Sequence, residues 1–276
     1  MSPTWRSQTP LDEWDLSLSG ALLAAVRGVA LLVVVFTGLA ALLLLRVIER
    51  PVFGASRPWT PHITVAVCRL ALRIIGLQIK SEGAPMDHPG AIVANHSSWL
   101  DILVLNATHP LYFVAKSEVA GWAGIGWLAR ATGTVFVRRE RREAQAQKTQ
   151  FATRLLAGHR LLFFPEGTST AGQVVLPFKP TLFAAFFSDA LRESLWVQPV
   201  SLRYHAGTGS KPRHYAWWGD MEFVGHLMKV LGTKPQGSVQ LVWHAPIRVA
   251  DFENRKTLAQ TAEAAVHAGH NLVARA

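Results

Sequence analysis

The chain predicts an α/β protein, with helices covering both faces of a sheet and a membrane-associated helical segment at the N-terminus. Three observations carry this prediction. From residue 81 onward, short apolar runs alternate with helical or polar stretches, the pattern of a sheet buried between helix layers. Near the N-terminus, 18 residues from Gly28 to Leu45 carry no charge, and about 18 such residues can cross a hydrocarbon core. Three of the predicted strands run straight into polar motifs, and sites in open α/β sheets gather at strand carboxyl ends.

Taken in order, residues 1–19 read as a polar tail containing Asp12, Glu13 and Asp15. Residues 20–48 form the hydrophobic membrane helix, in which Arg27 is the only charge before Arg46. A cleaved secretory signal fits poorly, because the preceding region is long and acidic and no small-residue cleavage site follows. Arg46, Arg50 and Arg57 follow the apolar stretch. By the positive-inside tendency the rest of the chain is expected on the cytoplasmic side of the inner (cytoplasmic) membrane.

Residues 49–80 read as a Pro- and Gly-rich linker, from Pro51 to Pro61, and a membrane-proximal amphipathic helix over 62–79. Arg69 and Arg73 share one face of that helix. This suits a helix lying in the interface with its cations near phosphates, and equally an ordinary packed helix. Residues 81–276 hold the α/β domain. Strands are expected at Ala91–Ala94, Leu111–Ala115, Thr134–Val137, Leu161–Phe164, Trp196–Leu202 and Val239–Trp243. Helices are expected at Glu140–Gly158 and Pro180–Glu193, and Leu258, Ala262 and Val266 mark a closing helix.

Composition narrows the function classes. A chain of 276 residues accommodates one substantial α/β domain with an accessory segment. Its net charge of +10 favours anionic partners: phospholipid headgroups, nucleic acid or phosphorylated substrates. The basic clusters lack an aromatic stacking platform, so no nucleic-acid partner is expected. Cys68 is the single cysteine, which excludes an intrachain disulfide and a multi-cysteine zinc site. His205, His214, His226 and His244 lack metal-ligand spacing, so no metal is expected.

The chemistry centres on Asn95-His96-Ser97-Ser98-Trp99-Leu100-Asp101. His96 and Asp101 are about 500° apart on an ideal helix and so do not share a face. They meet if His96 lies in the turn before a helix and Asp101 in its first turns, with Ser97 or Ser98 as the N-cap. Asp101 would then hold one ring nitrogen of His96, leaving the other as a base. No Gly-x-Ser-x-Gly elbow accompanies the pair, so the base most simply activates a hydroxyl on a substrate. A second motif, Phe164-Pro165-Glu166-Gly167-Thr168, ends another strand. Glu166 is expected to accept hydrogen bonds from substrate hydroxyls, with neighbouring backbone N–H groups near Gly167 holding an oxyanion. Arg139, at the end of Gly133–Arg139, offers bidentate contacts to an acidic group; Arg141 and Arg142 read as a solvated face. Trp217-Trp218 reads as an interfacial pair or as a core corner.

These motifs resemble those of the glycerolipid acyltransferases, which include the 1-acylglycerol-3-phosphate O-acyltransferases. Asn95-His96 with Asp101 is similar to the family's His-x4-Asp block. Gly133, Phe136 and Arg139 fit the second block, whose arginine is associated with the acceptor phosphate. Phe164 to Thr168 fits the third, and Val197-Gln198-Pro199-Val200 resembles the fourth, a strand-end proline near the acyl chain. The resemblance covers about residues 60–250. It implies a mixed sheet flanked by helices and an N-terminal helical pair that docks on the membrane.

It also implies transfer of an acyl chain from acyl-CoA or acyl-carrier protein to a lysolipid hydroxyl, with no further cofactor. The expected partners are therefore membrane lipids and the thioester donor. His96 and Asp101 are the expected catalytic pair, with Arg139, Glu166, Gly167, Thr168 and Lys179 toward the substrate. Ser169 stands where the third block usually has arginine. With the following Val-Leu-Pro-Phe-Lys179, it resembles a subgroup that includes lyso-ornithine lipid O-acyltransferases. The acceptor is left open between lysophosphatidic acid and lyso-ornithine lipid. A catalytically silent lipid-binding protein and a thioester or lipid hydrolase are the competing classes.

Overall fold

The computed structural model describes Trp5 and residues 15–88, 90–138 and 144–275. The chain opens with helix α1, Leu18–Phe53, about 54 Å long at 1.5 Å per residue. Ser17 caps it, its Oγ accepting the N–H of Gly20 at 3.1 Å. Among its residues only Gly20, Ala24, Leu42 and Glu49 are buried, and an apolar stripe including Leu22, Val29, Val33, Phe36, Leu44 and Val47 is exposed. The helix absorbs Pro51 in its last turn and stops at Gly54, at φ +57°. The linker is therefore shorter than the expected stretch from Pro51 to Pro61. Helix α2, Thr60–Ile75, turns back along α1 and ends at Gly76, in the left-handed conformation. That glycine stops the helix short of the expected residue 79.

One buried carboxylate joins the two helices. Glu49 is 0% exposed. It accepts N–H bonds from Trp59 at 2.6 Å and Thr60 at 2.9 Å, the Thr60 hydroxyl at 2.6 Å and Arg46 at 2.9 Å. Since Trp59 makes no side-chain cap of its own, α1 supplies the cap that α2 lacks.

The domain is built on an eight-stranded mixed sheet. Its strands are β1 (Gln78–Glu82), β2 (Gly90–Ala94), β3 (Tyr112–Lys116), β4 (Val135–Val137), β5 (Leu161–Phe163), β6 (Trp196–His205), β7 (Ser238–Trp243) and β8 (Ile247–Arg248). Their order is β1-β7-β6-β2-β5-β3-β4, with β8 pairing the start of β6. Strand β6 is parallel to β2 and antiparallel to β7 and β8; the remaining pairs are parallel. Strand alternation divides the core in two. Ile92, Ala94, Leu162 and Leu202 face α2, α3 (Leu100–Thr108) and α6 (Phe223–Gly232). Ala91, Val93, Leu161 and Phe163 face α5 (Ala144–Leu156), α7 (Arg255–Arg275) and a 3₁₀ segment. A short helix α4, Ile125–Ala131, lies between β3 and β4. Leu258, Ala262 and Val266 of α7 are buried as expected.

Two further expectations change. Residues Pro180–Phe187 form a 3₁₀ segment followed by turns, not an α-helix through Glu193. Phe183 and Phe186 are both buried, and a three-residue spacing returns to one face in a 3₁₀ turn. Pro199 lies within the ten-residue β6 and not at a strand end. There the ladder passes from β8, opposite Trp196 and Val197, to β7, opposite Val200 onward. The missing N–H of proline is tolerated at such a break.

Replacing Glu49 with Ala should destabilise the protein by roughly 2 kcal/mol, since it strands buried donors at the start of α2. Urea unfolding, together with faster proteolysis within residues 54–59, would check this.

Candidate active site

His96 lies in the turn between β2 and α3, and Asp101 in the first turn of α3. The geometry matches the arrangement inferred from their five-residue spacing. His96 Nδ1 is 2.7 Å from Asp101 Oδ2. The same oxygen accepts the N–H groups of Ser97 at 2.8 Å and Ser98 at 3.0 Å. Oδ1 accepts the Tyr204 hydroxyl at 2.7 Å. The aspartate is 0% exposed whereas the imidazole keeps 20% of its surface open. Burial and the neighbouring Asp101 carboxylate push the Tyr204 phenol well above its ordinary range, so it stays a donor. Neither serine caps α3 as expected. Ser98 Oγ accepts only the N–H of Leu100, at 3.3 Å, and the aspartate gathers the turn instead.

The third motif fixes His96 by three further contacts. Its ring stacks on Phe164, with centroids 4.0 Å apart and planes at 11°. Its N–H donates to Glu166 Oε1 at 2.6 Å, and its C=O accepts the N–H of Thr170 at 3.0 Å. Glu166 Oε2 accepts the N–H of Leu176 at 2.8 Å. Glu166, expected toward substrate, is 1% exposed, and both its oxygens accept backbone N–H groups. Burial raises its carboxyl to about 8, outweighing the two N–H donors that favour the anion. The N–H of Gly167, expected near an oxyanion, instead closes a turn onto Phe164 O at 3.0 Å, with Gly167 at φ +72°.

The remaining expected residues fall in different places. Thr168 is half-buried, and its Oγ1 accepts the N–H of Trp5 at 3.4 Å. Lys179 is half-buried at the start of the 3₁₀ segment, its N–H donating to Pro165 O at 3.0 Å. Arg139, like Arg141 and Arg142, lies outside the described residues. Gly133 adopts φ +86°, and a Cβ there would stand 2.7 Å from Arg57 Nη1. Trp218 is buried as a core corner with Ala171 and Ala216. Trp217 packs edge-on against Trp122 and Phe223, and its N–H holds Ser97 O at 2.8 Å.

Sequence reasoning missed Tyr204, which lies on β6, 103 residues from Asp101, with no motif to mark it. It also assigned no role to Asn95. Asn95 grips both backbone groups of Leu202, donating to its C=O at 2.9 Å and accepting its N–H at 2.8 Å. Among the described residues, no group of His, Cys, Asp and Glu is arranged to hold a metal ion. Cys68 is buried, and burial pushes its thiol up to about 12, unsuited to nucleophilic attack.

A histidine with one nitrogen held by a buried carboxylate and its ring partly open can move a proton to or from a bound group. The chain belongs to the acyltransferase family, whose model, described as Acyltransferase, matches residues 77–203. It is 52% identical over 267 residues to a lyso-ornithine lipid O-acyltransferase of Rhodobacter capsulatus, covering 97% of each chain. The corresponding enzyme of Brucella abortus is 36% identical over 225 residues, or 76% of this chain and 82% of that one. A 1-acyl-sn-glycerol-3-phosphate acyltransferase of Neisseria meningitidis is 31% identical over 202 residues, or 72% and 76%. The crystal structure of the 1-acyl-sn-glycerophosphate (LPA) acyltransferase PlsC from Thermotoga maritima shares the fold. It has a TM-score of 0.54 at 21% identity, covering 90% of this chain and 97% of that one.

Substituting Tyr204 with Phe should lower kcat by about tenfold with KM little changed, since it removes one donor from Asp101 while keeping the ring. Steady-state kinetics at fixed pH check this. Glu166 should make stability fall with rising pH. Its carboxyl ordinarily titrates near 4.5 and is raised to about 8 in the fold. Its contribution is complete below 4.5 and is lost as the pH climbs toward 8. Urea unfolding of wild type and Glu166→Gln from pH 5 to 8 should show a shallower slope for the variant.

Proposed function

We propose that the protein is a membrane-associated O-acyltransferase that esterifies the free hydroxyl of lyso-ornithine lipid. The observation that carries the chemistry is the Asp101–His96 pair at 2.7 Å with the ring partly open. Asp101 accepts from Nδ1–H, which leaves the Nε2 lone pair for the acceptor. His96 Nε2 takes the hydroxyl proton as that oxygen attacks the thioester carbonyl of acyl-CoA or acyl-carrier protein. The tetrahedral intermediate collapses, the C–S bond breaks, and the imidazolium returns the proton to the departing thiolate. Ester and thiol are the products. No enzyme nucleophile is required.

Support for the acceptor comes from the Rhodobacter capsulatus and Brucella abortus relatives and from Ser169, in place of the arginine that a phosphate acceptor would use. Arg139 and Lys179 would meet the acceptor's acidic group, which in an ornithine headgroup is a carboxylate. Glycerol phosphate lysolipids are the second reading, favoured by the Neisseria relative. Support for membrane attachment comes from α1, the one described helix long and apolar enough to cross a bilayer. Its outward stripe would enter the lipid, with the domain on the cytoplasmic side of the inner membrane.

Purified enzyme with acyl-carrier-protein thioester should acylate lyso-ornithine lipid with a kcat/KM at least about tenfold above that for 1-acylglycerol-3-phosphate. His96→Ala should lose ~10³-fold or more while remaining membrane-bound. A reversed preference would select the phosphate acceptor. Acyl transfer undiminished in the alanine variant would remove the base from the mechanism.

A further inference from the structure

The domain has a second concave site, at the pole opposite His96. It is a cavity of about 420 Å³ between the 54–59 linker, the start of α2, the end of α3 and the starts of β3 and β5. His96 precedes α3 and His109 follows it, so that helix, roughly 14 Å long, separates the two sites. Six of the lining residues are basic or imidazole: Arg57, Arg69, Arg160, His62, His109 and His159. No carboxylate lines the cavity among the described residues.

The three arginines are positioned without being neutralised. Arg69 Nε donates to Ala107 O at 2.7 Å, Arg160 Nη2 to Asp87 O at 3.1 Å and Arg57 Nη1 to Ala131 O at 3.4 Å. These acceptors are backbone carbonyls, and none of the three arginines has a carboxylate at ion-pair distance among the described residues. The acids whose charge reaches the cavity are Glu49 and Asp87. Glu49 is already taken up by Arg46 and the start of α2. The amino end of α2 adds positive potential, and Arg69 covers a carbonyl at the carboxyl end of α3 that would oppose it.

Two further observations point to a ligand. His109 Nε2 and Arg160 Nε are buried with no partner among the described residues, which is uncommon for buried polar atoms. Arg57 holds φ +49°, the one described non-glycine residue at positive φ, and its guanidinium lies against Gly133. That conformation is uncommon for a residue with a side chain. Burial, with Arg160 beside it, lowers His109 to about 4, a cost that an adjacent anion reverses.

We infer that this cavity binds a phosphate group, carried by a phospholipid headgroup or free in solution, through Arg57, Arg69 and Arg160. Guanidinium groups match phosphate oxygens bidentately. The cavity is larger than a single phosphate needs, and exposed Val52, Phe53 and Trp59 flank the linker at its edge, so the headgroup is favoured. A ligand here bridges the α1–α2 hairpin, through Arg57 and Arg69, to the sheet, through His109 and Arg160.

The test uses the full-length protein in neutral detergent, with thermal unfolding followed against inorganic phosphate and, separately, against phosphatidylglycerol in mixed micelles. The wild type should gain stability saturably with at least one probe. Arg160→Gln and Arg57→Gly should each weaken that response at least about tenfold in apparent affinity, whereas Lys256→Ala, exposed on α7, should retain it. Glycine suits φ +49°, so Arg57→Gly tests the charge without threatening the fold. Loss of only the phosphatidylglycerol response assigns the headgroup, and loss of only the phosphate response assigns a soluble ligand. The absence of any response that the two substitutions remove overturns the inference.

Discussion

The buried carboxylate of Asp101 organises the site. Four donors from two parts of the chain converge on it: the His96 ring and the amides of Ser97 and Ser98 in the turn, and the hydroxyl of Tyr204 on β6. An ionised carboxylate has about four acceptor positions, so this set fills it. The turn from β2 into α3 thereby acquires one conformation, the one that leaves the second nitrogen of His96 toward the open side. Burial strengthens each of these hydrogen bonds, because little water competes for the oxygens. The imidazole is held in place because the residue behind it is inaccessible.

The same logic explains why the third motif must lie beside the first. Strands β2 and β5 are adjacent and parallel, so the loops leaving their carboxyl ends meet. Phe164 forms the floor under the imidazole, and Glu166 ties its backbone to Leu176. A glutamate there does for backbone amides what Asp101 does for the ring. Its buried position disfavours charge even while two amides favour it, and burial prevails. In this arrangement the residue supports the backbone of His96.

The fold was largely legible because its central strands are continuous apolar runs that end in polar motifs. Ala91–Ala94 and Leu161–Phe163 lie in the middle of the sheet, buried on both faces, so their composition alone marks them. Strand β1, Gln78–Glu82, escaped because it is a polar, mostly exposed edge that pairs only with β7. Helix α6 carries an amphipathic pattern, with Val230 and Leu231 buried against the sheet, and was overlooked. In the site, the His96–Asp101 contact followed from spacing, although the serine cap that the argument invoked is absent and Asp101 itself gathers the turn. Tyr204 could not be found that way, since its link to Asp101 depends on β6 lying next to β2. The inward turn of the Glu166 carboxylate was not legible. A glutamate and a glycine after a strand have the same pattern whether the carboxylate turns outward or in.

The packing of α1 has a consequence for how the enzyme would meet its lipid. The helix is tied to the domain along its length and not only at one end. Near its start, Gly20 lies against Gly232, and Arg27 caps the end of α6 through Leu231 O and Thr233 O. Midway, Gly38 packs on Val67, and near its end Glu49 caps α2. A helix crossing the bilayer along its whole length would carry α2 and the end of α6 in with it, including the exposed Arg69 and Arg73 of α2. Charges at depth are costly without partners. Lying along the interface, with its outward stripe in the acyl region, would avoid that cost and keep the domain in contact with the headgroups. Under the membrane attachment proposed above, the apolar length that reads in sequence as a span would then act sideways.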